Sequence, residues 1–174
     1  YAGETLTING DSVATVTTTA NDTAFAIANA VNAESGTTGV TATAETKVVI
    51  DAGSGLSGGD SLSITLGSYT GTNTAIGSAK TVSAAITDPT DLSALAEAIN
   101  AESAATGVTA ELSDDKSQIT LTQEKGYNIG ISDAKNGDAD ALDNNLVDVT
   151  RSDGTTAIAT LGEAAGDSAT VGGS

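Results

Sequence analysis

The sequence predicts an α+β protein: two related units, each a small, mostly antiparallel sheet with one packed helix, followed by a less regular C-terminal β segment. Three observations carry this. A stretch of 17 residues occurs twice, AIANAVNAESGTTGVTA at 26–42 and ALAEAINAESAATGVTA at 94–110, identical at 12 positions without a gap. Self-similarity at a fixed spacing marks a duplicated supersecondary unit. Before and after each copy run short segments that alternate apolar and polar residues, the period of a half-buried strand. Within each copy the apolar residues instead recur at helical spacing.

The elements follow in order. Leu6-Thr7-Ile8 and Val13-Ala14-Thr15-Val16-Thr17 alternate across Asn9-Gly10-Asp11, and Asn-Gly between alternating runs is a strong hairpin signal. Asn21-Asp22-Thr23 offers N-caps to a helix over about 23–34, with Ala24, Ile27 and Val31 on one face and Gly36 and Gly39 at its exit. Val40–Ala44 and Lys47–Ile50 read as strands about a turn. The second unit repeats this order. Leu62, Ile64 and Leu66 alternate, Gly67–Ala79 reads as an insertion relative to the first copy, and Val82–Ile86 resumes the strand. Asp88-Pro89 places the one proline at a helix start, where its missing N–H costs nothing. Leu92, Leu95 and Ile99 then take the places of Ala24, Ile27 and Val31. Val108–Leu112 and Gln118–Thr122 form the next hairpin, and Tyr127–Ile131 adds a strand. Further on, Leu146–Thr150 and Thr156–Leu161 read as strands, and Gly162–Ser174 as small, polar and disordered. The expected organisation is a first unit at 1–52, a Gly/Ser linker at 53–59, a second unit at 60–132 and an acidic C-terminal segment at 133–174.

Composition narrows the function. A net charge of −17, with six Lys and Arg in 174 residues, opposes binding to nucleic acid or anionic membrane, both of which need a basic surface. No stretch approaches the ~20 apolar residues that span a bilayer. The chain has no Cys and no His, which removes disulfides, thiolate chemistry and the Ser/His and Cys/His nucleophile arrangements. No secretory leader is visible, and a start at Tyr1 rather than Met is read as that of a fragment.

The repeated segment also carries a resemblance. A helix ending in Ile99-Asn100-Ala101-Glu102-Ser103, then Thr106-Gly107-Val108-Thr109-Ala110, resembles the flagellin IN motif. In the first copy Leu6-Thr7-Ile8-Asn9-Gly10 leads to Ala42 and on to Val48-Val49-Ile50. In the second, Leu62-Ser63-Ile64 leads to Ala110 and on to Ile119-Thr120-Leu121. The motif is found in the outer domains of bacterial flagellins and in the filament-cap protein. Flagellins bear long terminal helices that build the filament core, and this chain has neither. The resemblance therefore implies an excised, surface-exposed outer region of a flagellin, extracellular on the filament surface. Its partners would be other flagellin subunits, met in a homopolymer through segments absent here, and the isolated fragment is expected to be a monomer.

Each chemical alternative has a plainer reading. Gly53-x-Gly55-x-x-Gly58 formally matches a dinucleotide fingerprint, but an alternating strand follows it rather than a helix, so it reads as a flexible linker or turn. Asp133, Asp138, Asp140, Asp143, Asp148 and Asp153, interleaved with Asn136, Asn144 and Asn145, supply oxygen ligands of the kind calcium takes. They match neither an EF-hand nor a β-roll repeat, and read as a solvated acidic loop. Ser and Thr form about a quarter of the chain; Thr suits strands, while O-glycosylation is the sharper reading. Asn21-Asp22-Thr23 also fits an N-glycosylation sequon, secondary to its reading as a cap. No catalytic, cofactor-binding or metal residue is assigned, no cofactor is expected, and the chain is read as a non-enzyme. The residues that matter would be packing residues: Phe25, Ile27, Val31, Val40, Leu92, Leu95, Ile99 and Val108. The alternative is an extracellular binding module of a filament-cap or adhesin protein, stabilised by calcium.

Overall fold

The computed structural model describes residues 3–137, 145–151, 157–162 and 167–172. Eleven strands and four short helices appear among them, arranged in three antiparallel sheets. The α+β class is thus the one observed.

Strands β1 (Thr5–Asn9) and β2 (Val13–Thr17) form a hairpin closed at Asn9↔Val13. Helices α1 (Ala24–Ala33) and α2 (Ser35–Thr38) follow, and Ile8, Val16 and Val31 make a small core between helix and hairpin. Thr23 caps α1 as expected, its Oγ1 accepting from the Ala26 N–H at 3.2 Å.

The rest is a two-sheet body. One sheet runs β11 (Ser168–Val171), β8 (Asn128–Lys135), β4 (Ser61–Tyr69), β5 (Ala75–Ala85). The other runs β10 (Ala157–Leu161), β9 (Val147–Arg151), β3 (Thr46–Ala52), β7 (Gln118–Gln123), β6 (Thr109–Leu112). Period-2 patterning sends Leu62, Ile64, Leu66, Ile129 and Ile131 inward from the first sheet and Val48, Ile50, Ile119, Leu121 and Val149 inward from the second, into one core. Helices α3 (Ser93–Ala101) and α4 (Ser103–Thr106) lie along the side where β5 and β6 would otherwise present bare edges. Covering such edges prevents stray strand pairing.

Sheet membership runs across the repeats. β3 ends the first copy yet sits between β7 of the second copy and β9 of the C-terminal segment. This explains one departure from expectation. Val40–Ala44 forms no strand, although its counterpart β6 pairs with β7. Both hydrogen-bonding edges of β3 are already taken, so a hairpin with Val40–Ala44 has no edge to use.

Other boundaries moved for local reasons. Pro89 lies in a turn, and α3 starts at Ser93. The Asp88 carboxylate accepts from the Thr90 N–H and Oγ1, and that of Asp91 from the Ser93 N–H and hydroxyl, so successive Asx turns occupy the chain before the helix. The Gly67–Ala79 insertion lengthens the β4–β5 hairpin, with a bulge between Leu66 and Ser68. Gly36 lies within α2, and Gly39 ends it. Ser168–Val171, expected disordered with the rest of 162–174, pairs with β8. Gly53–Gly59 is a packed turn: the Gly53 and Gly55 N–H groups donate to the Leu146 and Asn145 carbonyls at 2.9 and 2.7 Å, and Leu56 enters the main core.

Candidate functional site

The repeated residues build a helix–turn–strand clamp, twice and with nearly the same dimensions. Asn32, in the last turn of α1, donates from Nδ2 to the Ala42 carbonyl at 2.9 Å and accepts at Oδ1 from the Ala42 N–H at 2.8 Å. Asn100 does the same with Ala110, again at 2.9 and 2.8 Å. A side-chain amide offers donor and acceptor side by side, so it reproduces the pairing that a neighbouring strand would give. Between the ends of each clamp lies a buried threonine. Thr38 Oγ1 donates to the Glu34 carbonyl and accepts from the Val40 N–H at 3.2 Å, and Thr106 Oγ1 joins Glu102 and Val108 in the same way. Gly39 and Gly107 then turn the chain at φ +69° and +72°, a left-handed conformation in which a Cβ is disfavoured.

This accounts for the shared letters Asn, Thr, Gly, Val and Ala at 32/100, 38/106, 39/107, 40/108 and 42/110. They satisfy backbone groups at helix ends and direct the chain back along the helix. The sequence displayed the repetition but not the clamp. Its readable signal was an Asn ten residues before an Ala in both copies. Asn100→Ala is expected to cost about 1–2 kcal/mol, for two lost hydrogen bonds, measured as a lower denaturant midpoint at unchanged slope. Asn100→Gln, with a different reach, should rescue little of it.

The expected packing residues divide. Leu92, Leu95, Ile99 and Val108 lie in the main core and Val31 in the small one, whereas Phe25, Ile27 and Val40 are half-buried. Phe25 contacts Tyr127, with ring centroids 4.2 Å apart and planes tilted by 34°. Tyr69 covers glycines: a Cβ on Gly130 would lie 2.4 Å from Tyr69 Cε2, and Gly130 pairs directly with Gly67.

Among the described residues, four carboxylates depart from their ordinary behaviour, all downward. Hydrogen bonds from Thr19 hold Asp22 low, Thr90 does so for Asp88, Ser93 foremost and then Lys116 for Asp91, and Ser113 and Ser117 for Asp115. A general acid at neutral pH needs the opposite shift. These groups instead shape turns as ionised acceptors. A depressed folded-state pKa contributes stability that is present above the unfolded value and lost as pH falls through the folded one. Acidification from neutrality should therefore leave this contribution intact until about pH 4 and remove it below. Asp115→Asn should flatten part of that acid limb in denaturation profiles taken down to about pH 2.5.

The glycine-rich Gly53–Gly59 turn leads into β4, not a helix, so it offers no helix terminus to a pyrophosphate. Of the acidic tail, Asp133 is exposed on β8 and accepts from Ser132. Asp148 on β9 accepts from Thr160 and Asn145. Asp138, Asp140, Asp143, Asn144 and Asp153 lie outside the described residues. Among the described residues no group of three or more His, Cys, Asp or Glu is placed to hold a metal, and no helix is long and apolar enough to cross a membrane.

No curated protein matches the chain. The family model for the flagellin hook IN motif matches residues 5–60 and again 63–125, one match over each clamp, and the chain accordingly belongs to that family and is a flagellin-related structural protein.

Proposed function

We propose that this chain is the surface-exposed outer region of a bacterial flagellin, without enzymatic activity, projecting from the filament into the external medium. The observation that supports this most is the fate of the motif residues. In both copies the repeated Asn, Thr and Gly close backbone turns, and the apolar residues beside them enter the cores. Their role is to close the two packed cores of a projecting region. The surface fits an exported polymer: it is strongly acidic, and the ion pairs Lys47–Glu45, Lys80–Glu102 and Lys116–Asp91 are all solvent-exposed. High like charge keeps neighbouring copies dispersed. Assembly with other flagellin subunits runs through segments flanking this region, and the region alone is a monomer.

Reading the parent gene on both sides of Tyr1 and Ser174 tests this. Long helix-forming segments with an apolar heptad on both sides are expected. A secretory leader with tandem modules and a wall anchor would overturn the proposal in favour of an adhesin.

A further inference from the structure

The two copies of the clamp meet different fates. In the second, Ala110 belongs to β6, which pairs with β7, and Leu95 and Ile99 enter the main core at 1% and 0% exposure. In the first, no strand follows Ala42 until β3, and the hairpin and helices enclose a core of their own. The main core contains no residue of that module.

The attachment between module and body is thin. Apart from the chain itself, among the described residues one backbone hydrogen bond crosses, from the Phe25 N–H to the Gly126 carbonyl at 3.0 Å. Beside it lies the Phe25–Tyr127 ring pair. Gly126 lets the two sides meet, since a Cβ there would lie 2.5 Å from Ala44 Cβ and 2.9 Å from Phe25 N. Gly71, in the β4–β5 turn, touches the Asn21 carbonyl. Beside these contacts a cleft of about 430 Å³ opens between Asp22 and Asn29 on the module and Thr70 and Thr72 on the body, with Phe25 and Tyr127 in its lining. Thr43, Ala44 and Glu45 span from the clamped Ala42 to Thr46, the first residue of the β3 ladder.

We infer that residues 4–42 form a hinged module that swings from the body as one piece about Thr43–Glu45, with Phe25 and Tyr127 as its latch. Opening breaks one backbone hydrogen bond, one ring contact and the close approaches of Gly71 to Asn21 and of Gly126 to Ala24 and Phe25, and leaves both cores closed. Such an opening requires far less free energy than unfolding either part. The Asn32 clamp makes the motion rigid-body, because it holds the chain to α1 up to Ala42. Under an applied load the module is the element that yields first and re-latches, and this holds whether or not the flagellar reading does.

The chain's lack of cysteine allows a direct test. Asn29→Cys with Thr72→Cys places spin labels on opposite sides of the cleft, and Thr72→Cys with Glu124→Cys gives a control pair within the body. Pulsed dipolar spectroscopy on the full chain should show two distances across the cleft and one in the body. Phe25→Leu, which keeps an apolar side chain in the helix but removes the ring, and Tyr127→Ala should each raise the longer-distance population about two- to tenfold, the range for loss of an aromatic pair. The control distance and the far-UV spectrum should not change. A single narrow distance across the cleft, unmoved by both variants, would overturn the inference. Broadening of the control pair together with the cleft pair would also overturn it, since the body would then be loosening rather than the module swinging.

Discussion

Leu95→Asp is expected to abolish folding of the two-sheet body. Leu95 is 1% exposed and joins a core that draws on both large sheets and on α3. Truncating a buried leucine alone costs roughly 2–5 kcal/mol, and the aspartate adds a buried charge without a partner. Domains of this kind are stable by about 5–15 kcal/mol in total, so the sum removes most or all of it. The loss should not stop at the second repeat, because β3 of the first copy and β9 of the C-terminal segment share that core. Circular dichroism on heating should show no cooperative transition. A melting curve like the parent's would remove α3 from the core and with it the packing described above.

Gly53→Ala is the second large effect, and here two descriptions of one segment disagree in sign. In a flexible Gly/Ser linker this exchange is neutral, or stabilises by roughly 0.4–1 kcal/mol through the unfolded chain. The structure has Gly53 buried, donating to the Leu146 carbonyl, where a Cβ would lie 2.0 Å from Asn145 Oδ1 and 2.3 Å from the Asn145 carbonyl oxygen. The backbone on one side or the other has to move. A loss of about 1–3 kcal/mol follows, the usual cost of overpacking. It should appear as a lower midpoint in urea, and the C-terminal strands should lose protection from hydrogen exchange first. An unchanged or raised midpoint would restore the linker reading.

What the sequence made legible was local. The repeat, the β1–β2 hairpin about Asn9-Gly10, the Thr23 cap and the apolar face of α3 all depend on neighbours a few residues apart. On α1 the buried face is instead Ala24, Ala28 and Val31, with the expected Ile27 half-buried. Pairing across long separations was not legible. Nothing near Val48 shows that β3 will lie between β7 and β9. Val40–Ala44 therefore carried the same strand pattern as Val108–Leu112 without a free edge to join. Gly53 and Gly55 looked like spacer residues because Leu146 and Asn145, whose carbonyls accept their N–H groups, lie some ninety positions away. The clamp fell between these cases. Asn32 and Asn100 were visible as repeated letters, but their bond to Ala42 and Ala110 depends on a left-handed glycine turning the chain back along its own helix. The contact of Phe25 with Tyr127 depends on how the module meets the body, which neither neighbourhood encodes.

The central claim is that this chain is a structural element on the outside of a flagellar filament. Immunogold electron microscopy tests it most directly, with antibodies raised against the isolated chain and applied to intact cells of the parent bacterium. Label along the sides of the filaments throughout their length is the expected result. Filaments without label, with gold confined to the cell surface or to the filament tip, would contradict it.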